Sequence, residues 1–186
     1  MNNKMPKVLD YIEGKDMQGY LTDMIFVQAY ASENRKTILK RIWEIFELPN
    51  TKSYIPEYIE SVHNYIDFKD FVIRKGATPA HKDEIVIIPF NMEDGILICE
   101  GLGNEEWNNS APHGAGRIKR RSLAKLEFSA DIAKSRMESK GIFTSAVPVD
   151  EVKEAYKDPK IIEESIKPTV KIIDRLTPII NLKASD

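Results

Sequence analysis

The hydrophobic period of this chain switches from helical to strand-like near its middle, and that switch fixes the fold class. Leu21, Met24, Ile25, Gln28 and Ala31, followed by Ile38, Leu39, Ile42 and Ile45 or Phe46, recur at the i, i+3, i+4 spacing of one long amphipathic helix, which Pro49 stops. Farther on the pattern shortens. Phe71-Val-Ile73, Glu84 to Pro89 and Gly95 to Cys99 are β-rich runs bounded by Gly, Pro or charge, and they read as buried strands carrying site loops. A second helix is expected from about Lys119 to Ser139, ending at Gly141 in a left-handed cap. Short helices over Asp150 to Tyr156 and Pro159 to Ile166, with closing strands around Val170 to Ile173 and Ile179-Ile180, complete a mixed α/β (α+β) reading: short buried strands flanked by helices. At 186 residues and 42% hydrophobic, the chain can bury a core as a single region over 1–186, without a repeat or internal linker.

Charge and cysteine content narrow the class. A net charge of −2 argues against a general attraction to nucleic acid, so any RNA contact must be a local basic patch. The single cysteine excludes an internal disulfide framework, and Cys99 lies in an apolar run where a small core residue is expected. The start lacks an apolar signal core and no apolar stretch approaches membrane-spanning length, so the expectation is a cytoplasmic protein without a membrane partner.

The chemistry concentrates in Ser110-Ala-Pro-His113-Gly-Ala-Gly-Arg117. Small residues on both sides of His113 would let backbone and phosphate approach closely, and backbone N–H groups there can hold phosphate oxygens. A neutral imidazole so placed can act as a nucleophile on phosphorus. Arg117, Lys119, Arg120, Arg121 and Lys125 supply positive charge for phosphates. Local chemistry alone leaves two other readings open: an ordinary turn with a surface histidine, and a solvated helix face for the charges. His81, beside Lys82 and Asp83, reads as an exposed loop residue without a role.

The longer string resembles the RtcB-type RNA ligases. It comprises Asp23-Met24, Ala31-Ser-Glu-Asn34-Arg35, Val62-His63-Asn64, Arg74-Lys75-Gly76-Ala77-Thr78, Ile87-Ile88-Pro89, Gly101-Leu-Gly103-Asn104, Ser110 to Arg117, Glu154-Ala155-Tyr156-Lys157 and Leu176-Thr-Pro178 followed by Lys183. The resemblance runs from about Gly19 to Lys183 and covers the carboxy-terminal half of a family member. Asn91-Met92-Glu93-Asp94-Gly95 and Ser110-Ala-Pro-His113 look closer to a divergent bacterial branch than to the tRNA-splicing enzymes of archaea and animals. Where the family usually has Ser-Arg after the glycines, this chain has Arg120-Arg121, and it has Phe90-Asn91 where many relatives have Gly-Ser.

The resemblance implies an RtcB-like fold and an enzyme that uses GTP and manganese to join RNA 3′-phosphate or 2′,3′-cyclic phosphate ends to 5′-hydroxyl ends, in RNA repair or splicing. It makes His113 the catalytic nucleophile, guanylylated during the reaction, and His63 a manganese ligand. The implied nucleotide pocket uses His63, Asn64, Pro89, Phe90, Asn91, Met92, Ile96, His113, Gly114, Ala115, Gly116, Tyr156 against the base, and Lys183 near the guanine. Arg74, Arg117 and Arg121 would hold phosphate or RNA. The family's other metal ligands belong to its amino-terminal half, so a separate chain carrying that half is the expected partner for activity. The alternatives are a truncated product without turnover and a GTP- or RNA-binding interaction protein.

Overall fold

A computed structural model describes residues 11–46, 59–62 and 64–183. The chain divides into two units, Met1–Tyr58 and Ile59–Asp186.

In the first unit the helical period produces one helix, α1 (Gly14–Ile45), which begins about two turns before the apolar repeat at Leu21 does. Its less exposed positions, among them Leu21, Met24, Gln28 and Ala31, keep the helical period, but none is buried. Surface pairs Lys36–Glu33 and Arg41–Glu44, at 2.7 and 2.9 Å, add a few tenths of a kcal/mol each. Pro49, expected to stop the helix, lies outside the described residues.

Among the described residues, the second unit has nine short strands: β1 (Asn64–Asp67), β2 (Val72–Lys75), β3 (Ala77–Pro79), β4 (Ile85–Pro89), β5 (Ile96–Gly101), β6 (Ser110–Pro112), β7 (Phe143–Thr144), β8 (Val170–Leu176) and β9 (Ile180–Asn181). Its helices are α2 (Arg121–Glu127), α3 (Ala130–Ser139) and α4 (Pro159–Ile166), with single 3₁₀ turns at Glu105–Trp107, Val149–Glu151 and Lys153–Ala155. The mixed α/β class is therefore as expected.

Strands β4, β5 and β8 form an antiparallel sheet, with β5 in the centre. Alternation puts Val86 and Ile88 of β4 and Leu97 and Cys99 of β5 on one face, where they meet Phe90, Ala111, Ala115, Val170 and the Ile162 and Ile166 stripe of α4. Cys99 is a core residue as expected, and burial pushes its thiol up to about 11. A smaller cluster of Met92, Met137 and Ile142 fixes α3 to the loop after β4.

Two expectations need correction. The helix expected over Lys119 to Ser139 is broken into α2 and α3, because Phe128 and Ser129 are extended and the Ser129 hydroxyl turns to accept from the Ile132 N–H as a new N-cap. Gly141 does take the left-handed conformation, φ 75°, that closes α3. The run Phe71-Val-Ile73 does not give a buried strand: Phe71 sits in a left-handed turn and Ile73 is 75% exposed, whereas the buried residue of β2 is Arg74.

Candidate nucleotide cleft

Strand β6 ends at Pro112, so His113 emerges directly from a strand paired with β3, and its position is set by that ladder. The glycines after it serve close approach. The Ala115 N–H donates to the Pro89 carbonyl at 3.2 Å, and a Cβ on Gly114 would lie 2.9 Å from that same oxygen. On the other side, a Cβ on Gly76 would lie 3.7 Å from both Cδ2 and Nε2 of the His113 ring. Farther along, the Lys157 N–H donates to the Gly116 carbonyl and Arg117 bridges to Tyr156, which brings the segment carrying Tyr156 against the glycine turn.

These elements surround a cleft of about 850 Å³. Of the residues expected at a nucleotide, the structure brings together Pro89, Phe90, Asn91, Met92, Ile96, His113, Gly114, Ala115, Gly116, Tyr156 and Lys183 along it, with Arg117 and Arg121. Phe90 and Met92 have most of their side chains in the core. Asn91 accepts from the Glu93 and Asp94 N–H groups and donates to the Asp94 carboxylate, so its side chain shapes the loop. Lys183 is exposed and is located by a two-way main-chain exchange with the Ser145 hydroxyl.

Of the remaining expected residues, two stand elsewhere and one is not among those described. His63 lies outside the described residues. Asn64 does not line the cleft; its side-chain oxygen accepts from the Gly76 N–H at 3.1 Å, bracing the residue beside His113. Arg74 is a correction. It is buried, and its guanidinium donates to Asp67 at 2.6 Å, Asp70 at 2.6 Å, the Ser110 hydroxyl at 3.0 Å and the Asn108 carbonyl at 3.0 Å. These bonds occupy the fork that would grip a phosphate, and they tie the β1–β2 hairpin to the start of β6.

Sequence reasoning missed Glu151. Its carboxylate accepts from Arg117 at 2.5 Å and from the Tyr156 hydroxyl at 2.6 Å, while the Arg117 guanidinium lies 4.8 Å over the Tyr156 ring. Burial, and then the bond to Glu151, push the Tyr156 phenol up to about 12. Tyr156 is thus held rigidly, with one ring face covered by Arg117. Arg121 is 73% exposed, with only longer approaches to Asp150 and Glu151, and can turn to an anionic ligand. The acidic pair Asp150-Glu151 just before Tyr156 was the available signal, readable once the short helical turns bring it back onto Arg117.

Among the described residues one group has metal-ligand character: Asp67, Asp70 and His81, with ligand atoms within 4.8 Å of one another. His81, expected to be exposed, is instead part-buried, its Nε2 at 3.3 and 3.5 Å from Asp67 and Asp70. The Arg74 guanidinium already supplies the cation there, so the group does not fit a divalent ion as it stands, and none of the three lines the cleft.

The family model described as "tRNA-splicing ligase RtcB" matches residues 8–184. The chain is 30% identical over 189 residues to the RNA-splicing ligase RtcB of Escherichia coli strain K12, an alignment covering 93% of this chain and 46% of that protein. It is 28% identical to the tRNA-splicing ligases RtcB of Archaeoglobus fulgidus, over 78% of this chain and 37% of the relative, and of Aeropyrum pernix, over 77% and 36%. The chain therefore spans about half the length, or less, of these curated relatives. No helix among the described residues is long and apolar enough to cross a membrane. With the glycine-flanked His113 at the cleft and a family match over nearly the whole sequence, the chain belongs to the RtcB family.

Proposed function

We propose that this chain is the nucleotide-binding half of a GTP-dependent RNA ligase, cytoplasmic, completed by a separate chain that carries the amino-terminal, metal-binding half. The observation that carries the reading is the convergence of His113, the glycine turn, Tyr156, Arg121 and Lys183 on one cleft from segments far apart in sequence. Family membership supports GTP and a divalent metal, manganese in this reading, as the cofactors.

Each part has a task that the geometry permits. A ring nitrogen of neutral His113 forms a P–N bond to the α-phosphorus of GTP while the bridging P–O bond to the β-phosphate breaks and pyrophosphate leaves. Protonation of the ring then weakens the P–N bond, GMP passes to an RNA 3′-phosphate oxygen, and a 5′-hydroxyl displaces GMP to seal the strand. The backbone N–H groups of the glycine turn and the exposed Arg121 hold phosphate oxygens by charge and direction. Tyr156, held at the cleft by Arg117 and Glu151, receives the base, and Lys183 lies at the cleft for the guanine edge. His63, the expected manganese ligand, is outside the described residues, and the Asp67–Asp70–His81 group is occupied by Arg74 away from the cleft.

The test is intact mass spectrometry of the chain after incubation with GTP and manganese, with and without a chain bearing the amino-terminal half of a relative. The expected result is a GMP adduct that disappears in His113→Ala. An adduct that persists in His113→Ala would remove His113 from the role of nucleophile. A second reading, a GTP- or RNA-binding protein without turnover, draws on the absence of a metal-ligand group at the cleft among the described residues. Nucleotide binding without an adduct, even with the added half, would decide for it.

A further inference from the structure

The two walls of the cleft are joined by a side chain that does not line it. Arg136, on α3, donates through Nε to both carboxylate oxygens of Glu93, at 2.8 and 3.0 Å, and through Nη2 to Oε1 of Glu93 at 2.5 Å. The same guanidinium donates to Glu154, Nη1 to Oε1 at 2.7 Å and Nη2 to Oε2 at 3.2 Å. Glu93 belongs to the turn that follows Phe90-Asn91-Met92 on one wall. Glu154 precedes Ala155 and Tyr156 on the other.

Both walls are stiff by themselves. The Asn91 side chain locks the first turn through Glu93 and Asp94, and Phe90 and Met92 are anchored in the core. The second is a 3₁₀ turn in which the Tyr156 N–H donates to the Lys153 carbonyl and the Ala155 N–H to the Val152 carbonyl, each at 3.0 Å. The glycine turn already joins the walls at one end, through Ala115 to Pro89 and Lys157 to Gly116; on the α3 side a planar, forked cation holds both, and its fork constrains their separation there. A lysine in its place has a single nitrogen, without the planar fork that grips two carboxylates side by side.

We infer that Arg136 is a positioning residue that fixes the width of the cleft by clamping Glu93 to Glu154, and that nucleotide affinity depends on this clamp. The inference rests on reading the cleft as the nucleotide site. Small displacements of a binding wall are costly because every contact to the ligand shifts together.

Glu154→Ala is the informative variant. Glu154 is 38% exposed, and its removal leaves buried Glu93 paired with both Arg136 and Lys140. GTP titration by calorimetry on the full chain should show affinity lower by roughly three- to tenfold, with the thermal midpoint little changed. Glu154→Gln, which keeps an acceptor, should recover part of the loss. Lys140→Ala removes a partner of Glu93 at 2.9 Å but joins nothing to the Tyr156 wall, so affinity should stay at the wild-type value. Wild-type affinity in Glu154→Ala, or an equal loss in Lys140→Ala, would overturn the clamp. Hydrogen exchange of the free protein separates this from failure of the cleft reading: Glu154→Ala should speed exchange at the Glu93 and Asp94 amides, on the opposite wall. If wild type binds no GTP, the cleft reading falls and the clamp is judged by exchange alone; unchanged exchange at those amides rejects it.

Discussion

Gly95→Ala is expected to destabilise the second unit severely, on the order of 4 kcal/mol or more, in the range that only a named core mechanism produces. Two costs coincide at this position. Gly95 has φ 76°, where an L side chain pays about 1–2 kcal/mol. In addition, a Cβ there would lie 2.0 Å from the Leu176 carbonyl oxygen, 3.1 Å from its carbon and 3.2 Å from Pro178 Cδ. The obstacle is backbone, so it cannot rotate away. Leu176 pairs with Ile96 at the end of the β5–β8 ladder, and the turn itself is closed by the Phe90 N–H donating to the Gly95 carbonyl.

Relief of the clash must therefore peel β8 from β5 or open the β4–β5 turn, and either movement disturbs Leu176, Thr177 and Pro178 at the cleft. Urea denaturation should show a much lower midpoint, and GTP affinity should fall with it at temperatures where the protein is still folded. Gly19→Ala is the matched control: it sits in α1, nothing lies within 4 Å of its Cβ position, and alanine there should strengthen the helix by about 1 kcal/mol. Equal midpoints for Gly95→Ala and wild type would mean that β8 does not depend on this contact.

The parts of this molecule legible in the sequence are those governed by local rules. The long helical period gave α1, the apolar runs Glu84 to Pro89 and Gly95 to Cys99 gave strands β4 and β5, and the Gly141 stop was visible as a cap. The residues along the cleft were readable because resemblance supplies positions that spacing alone does not: Tyr156 and Lys183 carry no local mark of a site. What could not be read was pairing between charges distant in sequence. The resemblance put Arg74 on phosphate, and an arginine in a sequence carries no sign of its partners, yet Asp67, Asp70 and Asn108 claim it. The α2–α3 break was hidden for a related reason: Lys119 to Ser139 keeps enough helix formers to read as one helix, and only Ser129 with its cap reveals the stop. Phe71 to Ile73 has strand composition, but composition does not reveal which face a strand buries when the buried residue is an arginine.

Arg136→Met should lower stability by about 3 kcal/mol at neutral pH, and by much less in acid. Glu93 carries the argument, because its side chain is only 2% exposed. Burial alone would raise its ionisation, but the hydrogen bonds from Arg136 and Lys140 outweigh burial and hold it below the ordinary glutamate range. A carboxylate whose folded value is depressed adds stability at pH above its unfolded value, and that contribution is lost as pH falls through the folded value. Methionine fills similar space to the arginine stem but removes the fork, leaving Glu93 with Lys140, which is 43% exposed and a weaker partner. Burial then dominates in the variant and its Glu93 value moves up, so neutral pH becomes the condition in which the buried charge costs most. Protonation removes that charge in both proteins. The gap between the two urea midpoints should therefore be widest near pH 7 and narrow as pH falls to about 4 and below, through the ordinary glutamate value. A gap that stays constant over that interval would assign the loss to packing of the Arg136 stem, and would remove the Glu93 charge from the account.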